Sequence, residues 1–341
     1  MPIPSPGPAG GHLPDILCGL RIPVVAAPMF IVSGPELVIA QCKAGIVGSF
    51  PALNARDEPG GPVVLEQWLA RINEELDRHN QANPDRPAAP FAVNQIVHRS
   101  NPRLERDVDI CAKWKVPIWI TSLGARPEVN EAAHSAGGIV LHDIIDNRFA
   151  RKAIEKGADG LIAVAAGAGG HAGKQSPMAL ISEIRDWFAG PVLLSGAIAT
   201  GRSILAARAM GADLAYIGSP FIATQEANAV DAYKQMIVES SAQDIVTSAL
   251  FTGVSGNYLA PSIRRAGLDP EDLPDQKTQM DFTRAASSSG SSKAWKDIWG
   301  AGQGIGAVRA VEPAAALIDR LAGEYADAAR ALTADIAAQG Y

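Results

Sequence analysis

The chain has 341 residues, of which 47% are hydrophobic and only 19% charged, a balance that builds a large buried core and excludes extensive disorder. Its formal net charge is −6 and no dense Lys or Arg stripe runs along it, which excludes the electrostatic footprint of a nucleic-acid binder. No apolar run reaches the roughly 18 residues that a bilayer span needs, and the N-terminus lacks the basic start and apolar stretch of a secretory signal, so no membrane partner and a cytoplasmic location are expected.

Residues 1–14 are rich in Pro and Gly and read as a loose tail. From Pro23 onward, short apolar or β-branched runs alternate with longer amphipathic stretches, the signature of βα units that build a parallel sheet. Eight strands are predicted, over residues 24–29, 46–50, 91–96, 117–123, 138–142, 160–166, 191–196 and 214–219. Most are nearly continuous apolar runs, as expected of strands covered by helices on one side and by barrel filling on the other. The first helix opens at Ser33-Gly34-Pro35-Glu36 and closes at Gly45, with Pro inside the start and Gly past the end. Together these features predict an α/β chain folded as a (β/α)₈ TIM barrel.

After the eighth strand the pattern changes. Residues 226–241 look helical, residues 253–292 are rich in Gly, Ser, Pro and Asp, and an Ala-rich amphipathic helix over 312–339 carries Pro313 in its first turn. A single barrel needs only about 250 residues. The barrel is therefore assigned to residues 1–224 and 300–341, and 225–299 to a smaller, mainly helical insertion on the substrate side.

In such barrels, chemistry sits at the carboxyl ends of the strands. After the sixth strand comes Ala165-Ala166-Gly167-Ala168-Gly169-Gly170-His171-Ala172-Gly173, where small residues let the backbone approach a flat ligand and one imidazole can exchange a proton with it. The seventh strand runs into Ser195-Gly196-Ala197-Ile198-Ala199-Thr200-Gly201-Arg202, close to a P-loop but with Arg202 where Lys is required. The eighth ends in Tyr216-Ile217-Gly218-Ser219-Pro220-Phe221. Consecutive Gly/Ser strand ends make a phosphate cup of backbone N–H groups, with a helix N-terminus aimed at it. No G-x-G-x-x-G follows the first strand, which argues against a Rossmann domain. Cys18, Cys42 and Cys111 form no C-x-x-C pair, and His12, His79, His98, His134, His142 and His171 never pair at short spacing, so no metal site is expected.

These segments resemble the nitronate monooxygenase (2-nitropropane dioxygenase) family, FMN-dependent TIM barrels. The most specific match is the loop from Ala166 to Gly173, similar to the family's Gly-Gly-His loop. Supporting matches are Pro23-Val24-Val25-Ala26-Ala27-Pro28-Met29, Phe91-Ala92-Val93-Asn94, Ser195-Gly196-Ala197, Gly218-Ser219-Pro220-Phe221 and Trp299-Gly300-Ala301-Gly302-Gln303-Gly304. The resemblance implies His171 as catalytic base, Met29 and Asn94 against the flavin, and Ser195, Gly196, Gly218 and Ser219 on the phosphate. Ala27, Pro28, Gly169, Gly170, Ala197 and Gln303 complete the implied FMN-binding set. It also implies a nitronate or related carbon acid and O2 as the small-molecule partners. One departure is His142-Asp143 on the fifth strand, where some members carry Lys after the His. An acid there disfavours an anionic reduced ring, so either Asp143 points away or the redox behaviour differs. Two other readings stay open, an NAD(P)H-dependent flavin reductase acting on quinones or enoyl thioesters, and a non-catalytic FMN or phosphate-ligand binding protein.

Overall fold

A computed structural model describes residues 13–61, 63–274 and 298–339. The eight apolar runs become β1 (Val24–Ala26), β2 (Gly48–Pro51), β3 (Phe91–Ile96), β4 (Ile118–Ser122), β5 (Ile139–Ile144), β6 (Gly160–Val164), β8 (Val192–Ser195) and β9 (Leu214–Ile217). They pair in parallel in the order β1-β9-β8-β6-β5-β4-β3-β2, and a Val25–Val47 bridge joins the two ends. The sheet thus closes into the expected (β/α)₈ barrel. Outside it lie α1 (Pro35–Lys43), α2 (Val64–Ala82), α3 (Leu104–Lys113), α4 (Pro127–Ser135), α5 (Asn147–Glu155), α6 (Pro177–Arg185) and α7 (Gly201–Ala209).

Alternation along each strand sorts the side chains into two cores. Val24, Phe50, Phe91, Val93, Trp119, Val140, Leu161 and Leu194 face the helices in the larger one. Val25, Val47, Ala92, Ile118, Ile120, Leu141, Ile162, Leu193, Leu214 and Tyr216 fill the barrel interior, and Leu13, Ile16, Leu17 and Leu20 pack into that same cluster. The part of the expected tail that is described is therefore anchored, while residues 1–12 lie outside the described residues. Continuing the alternation toward the carboxyl ends of β3, β4, β5 and β8 brings Asn94, Ser122, Asp143 and Ser195 onto the interior face. The barrel is oily below and polar at its mouth.

Two strand ends differ from expectation for identifiable reasons. β1 stops at Ala26 because Pro28 has no N–H to give a ladder, and the Asn54 side chain takes over the loop by bonding Met29 O (3.0 Å), Ser33 O (2.8 Å) and Ile31 N (2.9 Å). β5 runs on to Ile144, pairing Asp143 with Ile162 and Ile144 with Ala163. A charged residue that looked like a loop is held in the ladder.

The segment after β9 contains α8 (Ser219–Ile222), α9 (Asp231–Glu239), an antiparallel hairpin of β10 (Ile245–Ser248) and β11 (Gly256–Leu259), and α10 (Ala260–Arg265). Among the described residues it is mixed rather than mainly helical, because Val246, Tyr258 and their neighbours cover a third, small core with Ile263 and Ile298. The Ser-rich stretch 275–297 lies outside the described residues. No helix among the described residues is long and apolar enough to cross a membrane.

The chain closes with α11 (Ala314–Ala338), whose preceding residue is Pro313. It packs on α7, and the Glu324 carboxylate accepts the Gly201 N–H at 2.8 Å. A Cβ at Gly201 would collide with the backbone of Glu324 and Tyr325. Gly201→Ala should therefore lower stability by roughly 1–3 kcal/mol, the usual cost of overpacking, read as a lower midpoint of thermal unfolding.

Candidate active site at the barrel mouth

The carboxyl ends of β6, β8 and β9 open on one narrow cleft, walled by residues 167–169, 195–198 and 218–220, with Gly302 and Gly304 closing it. The cleft is small because backbone meets backbone across it. Gly302 N–H donates to Ser219 Oγ at 2.8 Å, and Gln303 N–H to Gly167 O at 2.9 Å. Gly196 sits at φ +147° with an ideal Cβ position only 2.8 Å from Ala166 O, a conformation and an approach that only glycine allows. The main-chain walls and the Ser195 and Ser219 hydroxyls suit an anionic oxygen group.

Of the helices that follow β8 and β9, the one after β9 brings its N-terminus to the cleft. The α7 N-terminus is capped by Thr200, whose Oγ1 accepts from Ser203 N at 3.1 Å, and its Gly201 N–H is taken by Glu324. A carboxylate and a hydroxyl already satisfy the first turn, so a phosphate is not needed there. The turn that borders the cleft is that of α8, beginning at Gly218-Ser219-Pro220.

His171 follows directly from the cleft wall. Residues Gly170–His171 form β7, which pairs antiparallel with Gly256 and Asn257 of β11. Asn257 reinforces the junction, its Nδ2 donating to Ala168 O at 2.6 Å and its Oδ1 accepting from Thr247 Oγ1. The imidazole Nε2 lies 3.1 Å from Thr252 Oγ1, and that hydroxyl donates to Val254 O at 3.0 Å. The Thr252 hydroxyl thus ties the imidazole to the turn that ends at Val254. Burial pushes the imidazole down to about 4, because a cation is poorly solvated there.

Across the mouth, a directed chain of hydrogen bonds runs through the barrel's polar layer. Asn94 Nδ2 donates to Ile120 O (3.2 Å) and to Ser122 Oγ (2.7 Å), and Ser122 Oγ donates to Asp143 Oδ2 (2.6 Å). Burial pushes the Asp143 carboxyl up to about 7, against the lowering effect of Ser122. Among the described residues its shielded Oδ1 has no partner, and the same is true of the Tyr216 hydroxyl. Tyr216 is 6% exposed, and its phenol is pushed upward by burial and further by the Asp143 charge. Asp143 thus points into the barrel. The adjacent His142 faces the helices instead, with Nδ1 2.6 Å from Thr121 Oγ1.

Of the residues singled out by sequence, Gly169, Ser195, Gly196, Ala197, Gly218 and Ser219 line the one cleft, although the Ala197 N–H is already donated to Gly167 O. Met29 and Ala27 flank Gly218, whose ideal Cβ would lie 3.6 Å from Met29 Sδ and 3.3 Å from Ala27 Cβ, and Pro28 sits between them in the chain. Asn94 is 4% exposed, and both its N–H groups are used inside the barrel, so only its oxygen is on offer. Gly170 and His171 stand beside the cleft on β7. Gln303 is exposed, its Oε1 lies 3.0 Å from the ideal Cβ position of Gly167 on the cleft wall, and its neighbours Gly302 and Gly304 line the cleft themselves. Thr252, Asn257 and Ser122 carried no signal in the sequence, because their roles depend on contacts with distant segments. Tyr216 stood inside a quoted motif but looked like strand filling. Among the described residues, no group of three His, Cys, Asp or Glu is placed to hold a metal.

Comparison with known proteins bears on the fold and the family. The chain is 28% identical to a nitronate monooxygenase of Pseudomonas aeruginosa, covering 90% of this chain and 97% of that protein. A solved nitroalkane oxidase from Streptomyces ansochromogenes superposes with a TM-score of 0.70 at 25% identity, covering 93% of this chain and 99% of that one. The chain is also 26% identical, over 71% of its length, to the (3aS,4S,5R,7aS)-5-hydroxy-7a-methyl-1-oxo-octahydro-1H-indene-4-carboxyl-CoA dehydrogenase of Rhodococcus jostii. It spans a little under two thirds of the length of that dehydrogenase, 64%, and 62% of a further curated relative from Mycobacterium tuberculosis. The Nitronate monooxygenase family model matches residues 65–324, a stretch that takes in the cleft, β7 and the polar layer from β3 onward, and the chain belongs to the nitronate monooxygenase family.

Proposed function

We propose that this chain is an FMN-dependent oxidoreductase that oxidises alkyl nitronates with O2 to carbonyl compounds and nitrite. The observation that carries this reading is the continuity of cleft and base. Gly169 lines the narrow cleft, and His171 stands two residues on, fixed by β11. The FMN phosphate belongs against residues 195–198 and 218–220, and the ring toward Met29, Asn94 and the two unpartnered polar atoms on Tyr216 and Asp143. Those orphaned atoms fit a ring that bears several hydrogen-bonding positions, since buried polar groups normally have partners. FMN supplies the electron-transfer chemistry when bound.

The residues of the chain do the rest. His171 is neutral at physiological pH, the form that removes a proton from the carbon next to a nitro group. Thr252 is a positioning residue that holds the ring at Nε2. Thr252→Val should lower kcat on a neutral nitroalkane about tenfold, the worth of one hydrogen bond, with KM little changed. Thr252→Ser should restore it. A loss that Ser does not rescue would assign Thr252 to folding alone.

The reading is tested by the absorbance spectrum of the purified protein and anaerobic titration. Bound FMN should give a yellow protein that a nitronate bleaches. Bleaching by NADH but not by a nitronate would favour the second reading, a flavin reductase acting on thioesters, which the carboxyl-CoA dehydrogenase among the relatives supports. A colourless protein that takes up no FMN rejects both.

A further inference from the structure

We propose that Asp143 takes up a proton from solvent when electrons are placed on the flavin bound at the barrel mouth, so that the chain itself compensates the added negative charge. This rests on the FMN reading above. It begins with register. Leu141 is interior filling, so Asp143, two residues on in the same strand, shares its face and points into the barrel rather than toward α4 or α5. Its carboxyl is bound on one side only. Ser122 Oγ, itself accepting from Asn94, has a single proton and gives it to Oδ2 at 2.6 Å. Oδ2 is therefore an acceptor, and an added proton goes to Oδ1, the oxygen that is shielded and has no partner among the described residues.

The surroundings make ionisation of this acid easy to tip. The interior positions that face it, Asn94 and Ser122 from β3 and β4, Val164 from β6 and Tyr216 from β9, offer no cation. His142 on the same strand is turned outward onto Thr121. Tyr216 feels the Asp143 charge but makes no hydrogen bond to it. Burial opposes the carboxylate and Ser122 favours it, a balance that leaves the group near neutral pH. A second negative charge close by moves such a balance toward the acid, as in any like-charge pair. In the step proposed, two electrons would pass to the ring from the nitronate or a chemical titrant, one proton would pass from bulk solvent to Oδ1, and no bond to carbon would change at Asp143.

The test is the midpoint potential of bound FMN as a function of pH, measured on wild-type, Asp143→Asn and Ser122→Ala holoprotein. Below about pH 6 the wild-type acid is protonated in both redox states, so wild type and Asp143→Asn should follow parallel lines. Above about pH 7 the wild-type line should become steeper by one proton per two electrons, about 30 mV for each tenfold fall in proton concentration. Ser122→Ala, which removes the bond favouring the carboxylate, should shift that break to higher pH. Lines parallel at every pH with FMN bound, or a break that Ser122→Ala leaves in place, would overturn the proposal while leaving the FMN reading intact. A protein that takes up no FMN overturns both.

Discussion

Replacing His171 with Asn should reduce turnover of a neutral nitroalkane by about 10²–10⁴-fold, the usual contribution of a positioned general base. Turnover of the preformed nitronate should fall by less than about tenfold. The difference arises because the nitronate has already lost the proton that the imidazole removes. Asn keeps a polar side chain of similar size on β7, so the pairing with Gly256 and Asn257, which uses backbone groups, is retained. The pH profile supplies a second readout. Burial pushes the imidazole down to about 4, so the base form is present throughout the neutral range and is lost only as pH falls through about 4. An acidic limb there on the nitroalkane, missing in His171→Asn, identifies the group. Equal losses on both substrates would assign His171 to structure.

The barrel was legible because its strands are apolar on both faces, and that pattern survives without knowledge of any partner. β3, Phe91–Ile96, has the predicted bounds because Pro90 precedes it and a loop tied by Asn101 follows it. β5 was cut short at His142 because an Asp rarely sits inside a barrel. The sequence offers no sign that Ser122 and Asn94 stand ready on adjacent strands to receive it.

The site divides in the same way. The cleft was readable since its parts are strand ends, whose placement follows from the fold, and Gly and Ser there have few other uses. The support of His171 was not, because it comes from β11 and Thr252, distant in sequence and joined by backbone pairing that leaves no mark on composition. The N-terminus of α7 illustrates a related limit. Thr200-Gly201-Arg202-Ser203 has the look of an anion-binding turn, but Glu324 of α11 already occupies its Gly201 N–H. A local motif reveals what a backbone can bind, and tertiary structure decides what it does bind.

Gly169→Ala should raise the FMN dissociation constant at least about 100-fold, about 2.8 kcal/mol, while far-UV circular dichroism stays that of the barrel. An ideal Cβ at Gly169 would lie 2.8 Å from Gly302 N, 3.0 Å from the Ala301 carbonyl carbon and 3.0 Å from Ser219 Oγ. Two of those three atoms are backbone, which cannot swing aside as a side-chain tip can. The added methyl also lands on the Gly302 N–H to Ser219 Oγ bond that ties the closing segment to the start of α8. Either the 167–169 loop or residues 301–302 must move, and both are walls of the cleft. Because backbone positions anions by fixed geometry, a shift of about 1 Å is enough to spoil it. Gly323→Ala is the matching control, on the exposed face of α11 with nothing within 4 Å of its added Cβ, and should leave FMN binding unchanged. Should Gly169→Ala bind FMN as tightly as the wild type, the phosphate does not lie in this cleft.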